Sequence, residues 1–141
     1  MSWQELVALG DGIRLGVASR EPMVANLPLL GICWATVDSS RAFHELDGLL
    51  GDAEWVAEFR DDLLGAGVWR RAPRPGVHVD LFIVEPDTEG RLAANLARFG
   101  EGVAAVYLAG PDAGPDRIIG VDPRWGPFAI VEGDSVDGET A

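Results

Sequence analysis

Residues 77–108 read VHVDLFIVEPDTEGRLAANLARFGEGVAAVYL, and this stretch decides the fold. It opens as a strand whose side chains alternate between two faces. Val77, Val79, Leu81, Ile83 and Glu85 share one face; His78, Asp80, Phe82 and Val84 share the other. The first set is apolar until Glu85, so that face is expected to be buried with Glu85 at its rim. The strand ends on an acid and a proline, Glu85-Pro86. Leu92, Leu96 and Phe99 then mark one face of a short helix. Gly100-Glu101-Gly102 is a turn, and residues 103–108 form a second strand.

Toward the N-terminus, residues 29–37 (LLGICWATV) are a mostly apolar run and read as a buried strand. Asp38, Ser39 or Ser40 caps a helix running through Leu50 and ended by Gly51. Asp52 looks like the next cap, before a helix over residues 54–64 with Trp55, Phe59 and Leu63 four apart. Residues 68–72 read as a strand, and Pro73-Arg74-Pro75-Gly76 as a turn. At the start, Ser2 caps a short helix over residues 3–9, stopped by Gly10 and Gly12. Residues 13–19 (IRLGVAS) alternate like a strand, and residues 22–28 connect. Beyond the opening stretch, residues 110–116 (GPDAGPD) are a loop. Residues 117–121 and 127–131 are two strands around the turn at residues 122–126. Residues 134–141 form an acidic tail expected to fray. This divides the chain into an N-terminal helix/strand extension (1–28), a main domain (29–133) and the tail.

A chain of 141 residues is expected to be one domain, with enough surface to bury for a core. Hydrophobic residues make up 48% and charged residues 24%, which is the balance of a globular protein. The net charge is −12, and all eleven basic residues are Arg. The absence of Lys reads as the coding bias of a GC-rich, bacterial genome. Such acidity argues against nucleic acid as a partner, since no basic stripe is available to neutralise phosphates, and equally against an anionic membrane surface. One cysteine, Cys33, excludes an internal disulfide. No apolar run approaches the length of a membrane span. No basic region followed by an apolar one opens the chain, so a cytoplasmic location is expected.

The order of these pieces resembles the vicinal oxygen chelate superfamily, which includes glyoxalase I, methylmalonyl-CoA epimerase, ring-cleaving dioxygenases and bleomycin-type resistance proteins. GICWATVDSSRA (residues 31–42) is similar to the first strand and helix entry of that group. EFRDDLLGAGVWRR (58–71) is similar to its helix end, Leu-Gly turn and second strand. DLFIVEPDTEGRLAANLARFGEGVAAVYL (80–108) resembles the fourth strand, linker and fifth strand of epimerase-like members. IIGVDPRWGPFAIVEG (118–133) resembles their closing hairpin. The resemblance implies an α+β fold in which paired βαβββ modules form a curved mixed sheet around a cavity. The second module is shortened, because GPDAGPD stands where a crossover helix is usual.

Enzymes of the group place a divalent metal in that cavity. Carried over position by position, the first-strand ligand falls on Gly31, the fourth-strand ligand on Glu85, the fifth-strand ligand on Ala105 and the last-strand ligand on Glu132. Two carboxylates remain and both imidazoles are gone. Two carboxylates make a poor site for Zn, Fe or Ni, although Mg or Mn with waters stays open. The histidines, His44 and His78, are not placed to replace a ligand. No metal or other cofactor is therefore expected.

The candidate catalytic residues are Glu85, Glu132 and Tyr107. A carboxylate pair in an apolar cavity would share a proton and could move one beside a carbonyl, with Tyr107 donating to a substrate oxygen. The bland alternative makes both acids solvated strand ends. Candidate ligand-binding residues are Cys33, Ala35, Ala105 and Phe128, with Trp69 and Trp125 walling a pocket for a planar ligand. Core packing is the alternative for each, and a buried inert thiol for Cys33. Gly31, Cys33 and Ala35 share one face and would leave open volume. Trp34 faces the other way and packs on a helix. Arg91 and Arg98, near the Gly-Glu-Gly turn, either meet an anion or lie on a solvated helix face. The favoured reading is a metal-free small-molecule-binding protein of the glyoxalase/bleomycin-resistance type, taking an apolar or planar ligand. The alternative is a metal-independent isomerase or lyase acting on a carbonyl or acyl-thioester substrate. The resemblance also implies a homodimer.

Overall fold

The computed structural model describes residues 1–72, 76, 78–110, 115–122 and 124–133. Ten elements run in the order α1 (Trp3–Ala18), β1 (Leu29–Ala35), α2 (Ser39–Leu50), β2 (Trp55–Asp61), β3 (Ala66–Arg71), β4 (Asp80–Pro86), α3 (Arg91–Phe99), β5 (Gly102–Ala109), β6 (Arg117–Gly120) and β7 (Phe128–Glu132), with a single-turn 3-10 helix at Pro22–Asn26. The strands form one seven-stranded sheet in the order β2-β3-β4-β1-β5-β7-β6. The α+β class and the curved mixed sheet expected from the sequence are the observed ones.

The first half is a complete βαβββ unit. From β1 the chain crosses through α2, makes the β2-β3 hairpin and returns as β4, which lies parallel to β1. The second half is shorter. β5 leads through residues 110–116 to β6, and β7 then inserts between them, parallel to β5 and antiparallel to β6. Loss of the crossover helix alone would leave the chain at the wrong end of the sheet. Loss of one strand along with it restores the direction, so seven residues between β5 and β6 are enough.

Alternation sorts the side chains onto two faces. Ile32, Leu81, Ile83, Val106, Leu108, Ala129 and Val131 face the helices; Cys33, Ala35, Phe82, Val84, Ala105, Tyr107, Phe128 and Ile130 face the concave side. α2 covers the first half of the helix face through Ala42 and Leu46. α1 covers the second half: it packs on β5, β1 and β7, with Leu6 against Ile32 and with Ile13 and Val17 beside Val106, Leu108 and Ala129. The N-terminal helix thus fills the place of the missing crossover helix.

Three local readings are corrected. Residues 13–18 continue α1 and are not a strand. Gly10 does not break the helix: it is buried, and a Cβ there would sit 3.1 Å from Ile32 Cγ1, so it lets the helix lie close to β1. Residues 55–61 are a strand, not a helix. The four-residue spacing of Trp55 and Phe59 misleads because a β-bulge lies between Ala57 and Phe59. The bulge reverses the alternation, so Trp55 joins the helix-face cluster while Phe59 meets Tyr107 on the concave side. The turn residues 73–75 and the tail, residues 134–141, lie outside the described residues.

Candidate functional site on the concave face

The open volume expected beside Gly31, Cys33 and Ala35 is filled. Phe82 lays its ring over Gly31: a Cβ at that position would lie 2.5 Å from Phe82 Cε2 and 3.4 Å from Tyr107 Cδ2. The Phe82 and Tyr107 rings meet edge to face at 5.1 Å. Leu64, Leu92, Phe128 and Ile130 complete this packed interior. Cys33, Ala35, Ala105 and Phe128 are all brought together here, each with no exposed surface.

At the rim the packing gives way to polar groups. Tyr107 Oη donates to Asp61 Oδ2 at 2.7 Å, although three strands (β3, β4 and β1) separate β5 from β2 in the sheet. The sheet therefore curls far enough for its edge strand to reach over β5. The other oxygen of Asp61 accepts the backbone N–H groups of Leu63 and Leu64, at 2.9 and 3.1 Å, which fixes the turn after β2. Asp116 holds the end of β7 by accepting the Gly133 N–H at 3.0 Å. Asp61, Asp116, Glu132 and Tyr107 line one recess of about 320 Å³, with Phe59, Arg60, Asp62 and Leu63 as the remaining walls. Arg60 is held by Asp87 and Asp62, at 2.5 and 3.0 Å.

Burial, then the negative charges of Asp116 and Asp61, raise the pKa of Glu132 above that of an ordinary glutamate. Burial is also the main reason the Cys33 thiol and the Tyr107 phenol stay protonated; for Cys33 the Asp61 charge adds to it. Cys33 is thus an inert interior thiol. The recess offers carboxylate acceptors and a phenol already committed to Asp61.

The other candidates lie elsewhere. Glu85 points to the helix face, where Oε1 accepts the Ser39 N–H at the start of α2 at 3.0 Å. The structure does not pair it with Glu132. Trp69 also faces the helices, packing with Phe43, which in turn stacks on Trp55 at 5.3 Å. Trp125 lies between β6 and β7, with Arg98 and Arg124 over its ring at 4.3 and 4.6 Å. Trp34 does pack on the helix side, as expected, and its indole donates to Glu101 Oε2 at 3.0 Å. Asp61 and Asp116 escaped the sequence reading. Asp61 sat in a stretch read as helix, and Asp116 in a loop with no periodicity.

These placements do not fit a divalent metal held as in the resembled enzymes. Phe82 covers Gly31, Glu85 is on the other face and Ala105 carries no donor, so Glu132 alone remains. Among the described residues, no three His, Cys, Asp or Glu side chains are grouped to hold a metal ion.

No family model and no curated protein matches the sequence. Solved structures do match in shape. Methylmalonyl-CoA epimerase from Mycobacterium tuberculosis superposes with a TM-score of 0.55 at 16% identity, over 78% of this chain and 91% of that one. The hypothetical protein BH1468 from Bacillus halodurans C-125 gives 0.53 at 13%, over 74% and 91%. A variant Streptomyces coelicolor methylmalonyl-CoA epimerase in complex with 2-nitronate-propionyl-CoA gives 0.52 at 15%, over 77% and 96%. The chain has the vicinal oxygen chelate fold. At these identities the match speaks for the fold alone. No helix among the described residues is long and apolar enough to cross a membrane.

Proposed function

We propose that this protein binds a small organic cation in the recess between the end of β2 and the end of β7. The observation that carries this reading is the convergence of Asp61, Asp116 and Glu132 on one recess floored by Tyr107. With Arg60 held by Asp62 and Asp87, the three other acids of this half-buried space attract a protonated amine and repel phosphates and carboxylates. Phe59, 43% exposed at the mouth, offers a flat apolar surface to the rest of the ligand. This keeps the metal-free binding function expected from the sequence and changes its ligand. The apolar interior that would have taken an apolar molecule is occupied by Phe82, Phe128 and Leu64.

The test is an NMR titration with benzylamine as the probe, beside an acyl-CoA thioester. Saturable shifts at Asp61, Asp116 and Glu132 with benzylamine, weakened about tenfold or more in Glu132→Gln with Asp116→Asn, are the expected result. Equal or tighter binding of the thioester at these residues overturns the proposal. Affinity should rise with pH as Glu132 ionises, and Glu132→Gln should remove that rise.

One observation favours a second reading, acid–base catalysis: Glu132 has its pKa raised inside the recess, and epimerases share the fold. In that role Glu132 alone would move a proton at a carbon beside a carbonyl. Deuterium exchange into an acyl thioester in heavy water, lost in Glu132→Gln, supports it; no exchange with the wild-type protein discards it. The homodimer remains part of the proposal. β2 is a sheet edge carrying exposed Val56 and Phe59, and light scattering should give twice the 15.0 kDa chain mass.

A further inference from the structure

We infer a second ligand site, of opposite charge, where α3 meets the β6-β7 connection: it takes an organic oxyanion with a flat or acyl body. Arg98 and Arg124 both lie over the Trp125 ring, at 4.3 and 4.6 Å. Stacking occupies the face of a guanidinium and leaves the N–H groups at its edge free. Arg98 has no carboxylate partner among the described residues, in a chain with a net charge of −12. Arg124 has only Asp122, at a long 3.8 Å. By contrast Arg14, Arg41, Arg60 and Arg117 each hold a carboxylate at 3.0 Å or less. One guanidinium with no carboxylate partner among the described residues and one with only a long ion pair, gathered on one indole, are donors available to an oxyanion.

The stack is anchored and has a recess beside it. Asn95, 3% exposed, donates to the Trp125 carbonyl at 2.6 Å and so ties the connection to α3. Asn95 also lines a recess of about 280 Å³ whose apolar walls are Phe99, Val103 and Pro127. Arg98 lies 5.7 Å from the ring of Phe99, so it touches one wall residue of that recess without itself lining it. The one acid in the lining, Glu101, is already engaged: it accepts from Thr36, Trp34 and Arg41. An apolar slot with two guanidiniums beside it fits a phosphate or carboxylate head on an apolar body. This site stands independently of the acidic recess.

The test is an NMR titration of the full chain with phenyl phosphate, following the Trp125 indole N–H and the Asn95 side-chain amide. Benzoate, inorganic phosphate and benzylamine run in parallel. Saturable shifts at both groups with phenyl phosphate are expected, weakened about tenfold or more in the double variant Arg98→Gln/Arg124→Gln. Benzoate shifting the same groups supports the class; inorganic phosphate binding as tightly as phenyl phosphate overturns the part assigned to the apolar slot. Arg98→Lys/Arg124→Lys keeps the charge without the fork, and intermediate affinity is expected. No saturable shift, an equal response from benzylamine, or undiminished binding in the glutamine variant overturns the site. Failure here with benzylamine still binding at Glu132 would leave the acidic recess standing.

Discussion

Gly31 and Phe82 are two halves of one packing decision. With no Cβ on Gly31, the Phe82 ring can come close over β1 and fill the concave interior. Gly31→Ala is expected to cost about 1–3 kcal/mol through overpacking. Phe82→Ala is expected to cost about 3–5 kcal/mol through the cavity it leaves. Because the two changes meet at one spot, the double variant should be markedly more stable than the sum of losses predicts. Urea unfolding of all four proteins checks this, and simple additivity would refute the contact. Glu132 acts at the same scale. Its pKa is raised in the folded state, so its contribution to stability is full below the ordinary value of 4.5 and is lost as pH rises through the folded pKa. Glu132→Gln should therefore gain on the wild type toward neutral pH. Glu101 has the opposite sign. Burial pushes its pKa up, but the Thr36, Trp34 and Arg41 donors bring it below 4.5 overall. Its contribution is present above 4.5 and disappears as pH falls, so Glu101→Gln should lose stability at neutral pH and converge with the wild type in acid. Unfolding midpoints across the pH range separate the two residues.

Among the elements, α1 carries the most weight relative to what its pattern announces. Ser2 caps it through the Glu5 N–H at 3.2 Å, with Glu5 returning to the Ser2 N–H at 2.9 Å. Three glycines within it, Gly10, Gly12 and Gly16, lower its intrinsic propensity. Packing on β5, β1 and β7 overrides that, which is why local rules stopped the helix at Gly10. Leu6→Ala, at a fully buried position, should cost about 2–5 kcal/mol. Removal of residues 1–26 should yield insoluble protein, since Val106, Leu108, Ala129 and Val131 would lose their cover; a soluble, cooperatively folded product would refute the role given to α1. β1, α2, β4, α3 and the closing hairpin were legible because their patterns are unbroken, and β5 as an apolar run despite a register shift at Ala104 that turns Val103 to the helix side. β2 was not, because one extra residue in a bulge turned two strand faces into an apparent helical stripe. The same bulge hid Asp61. Glu85 was placed on the correct apolar face of β4, but that face turned out to lie under α2 and not over the cavity. Alternation separates two faces without saying which one the helices take.

At the scale of the whole molecule, charge dominates. A net charge of −12 on 141 residues makes the compact state repel itself. Added salt shortens the screening length from roughly 30 Å at about 0.01 M to roughly 8 Å at about 0.15 M. The Arg ion pairs are mostly exposed and weaken little in absolute terms, since each is worth about 0–1 kcal/mol. The melting temperature should accordingly rise over that range, as a thermal scan by circular dichroism would show; a fall would mean that the ion pairs outweigh the repulsion. Composition made this property legible at once. The two proposed sites of opposite sign were legible only in part: Glu132, Tyr107, Arg98 and Trp125 were candidates in the sequence, while Asp61, Asp116 and Arg124 join them only through the fold.

The substitution of α1 for a crossover helix also has a consequence in time. A ribosome delivers this helix well before two of the strands it shields: β5 begins only at Gly102 and β7 at Phe128. The early product is a lid without a box. Leu6 finds Ile32 of β1 early, but Ile13 and Val17 must wait through the synthesis of the whole first half, while α2 arrives together with the strands it covers. The shorter half of the sheet is therefore the one whose completion depends on elements far apart in sequence finding each other.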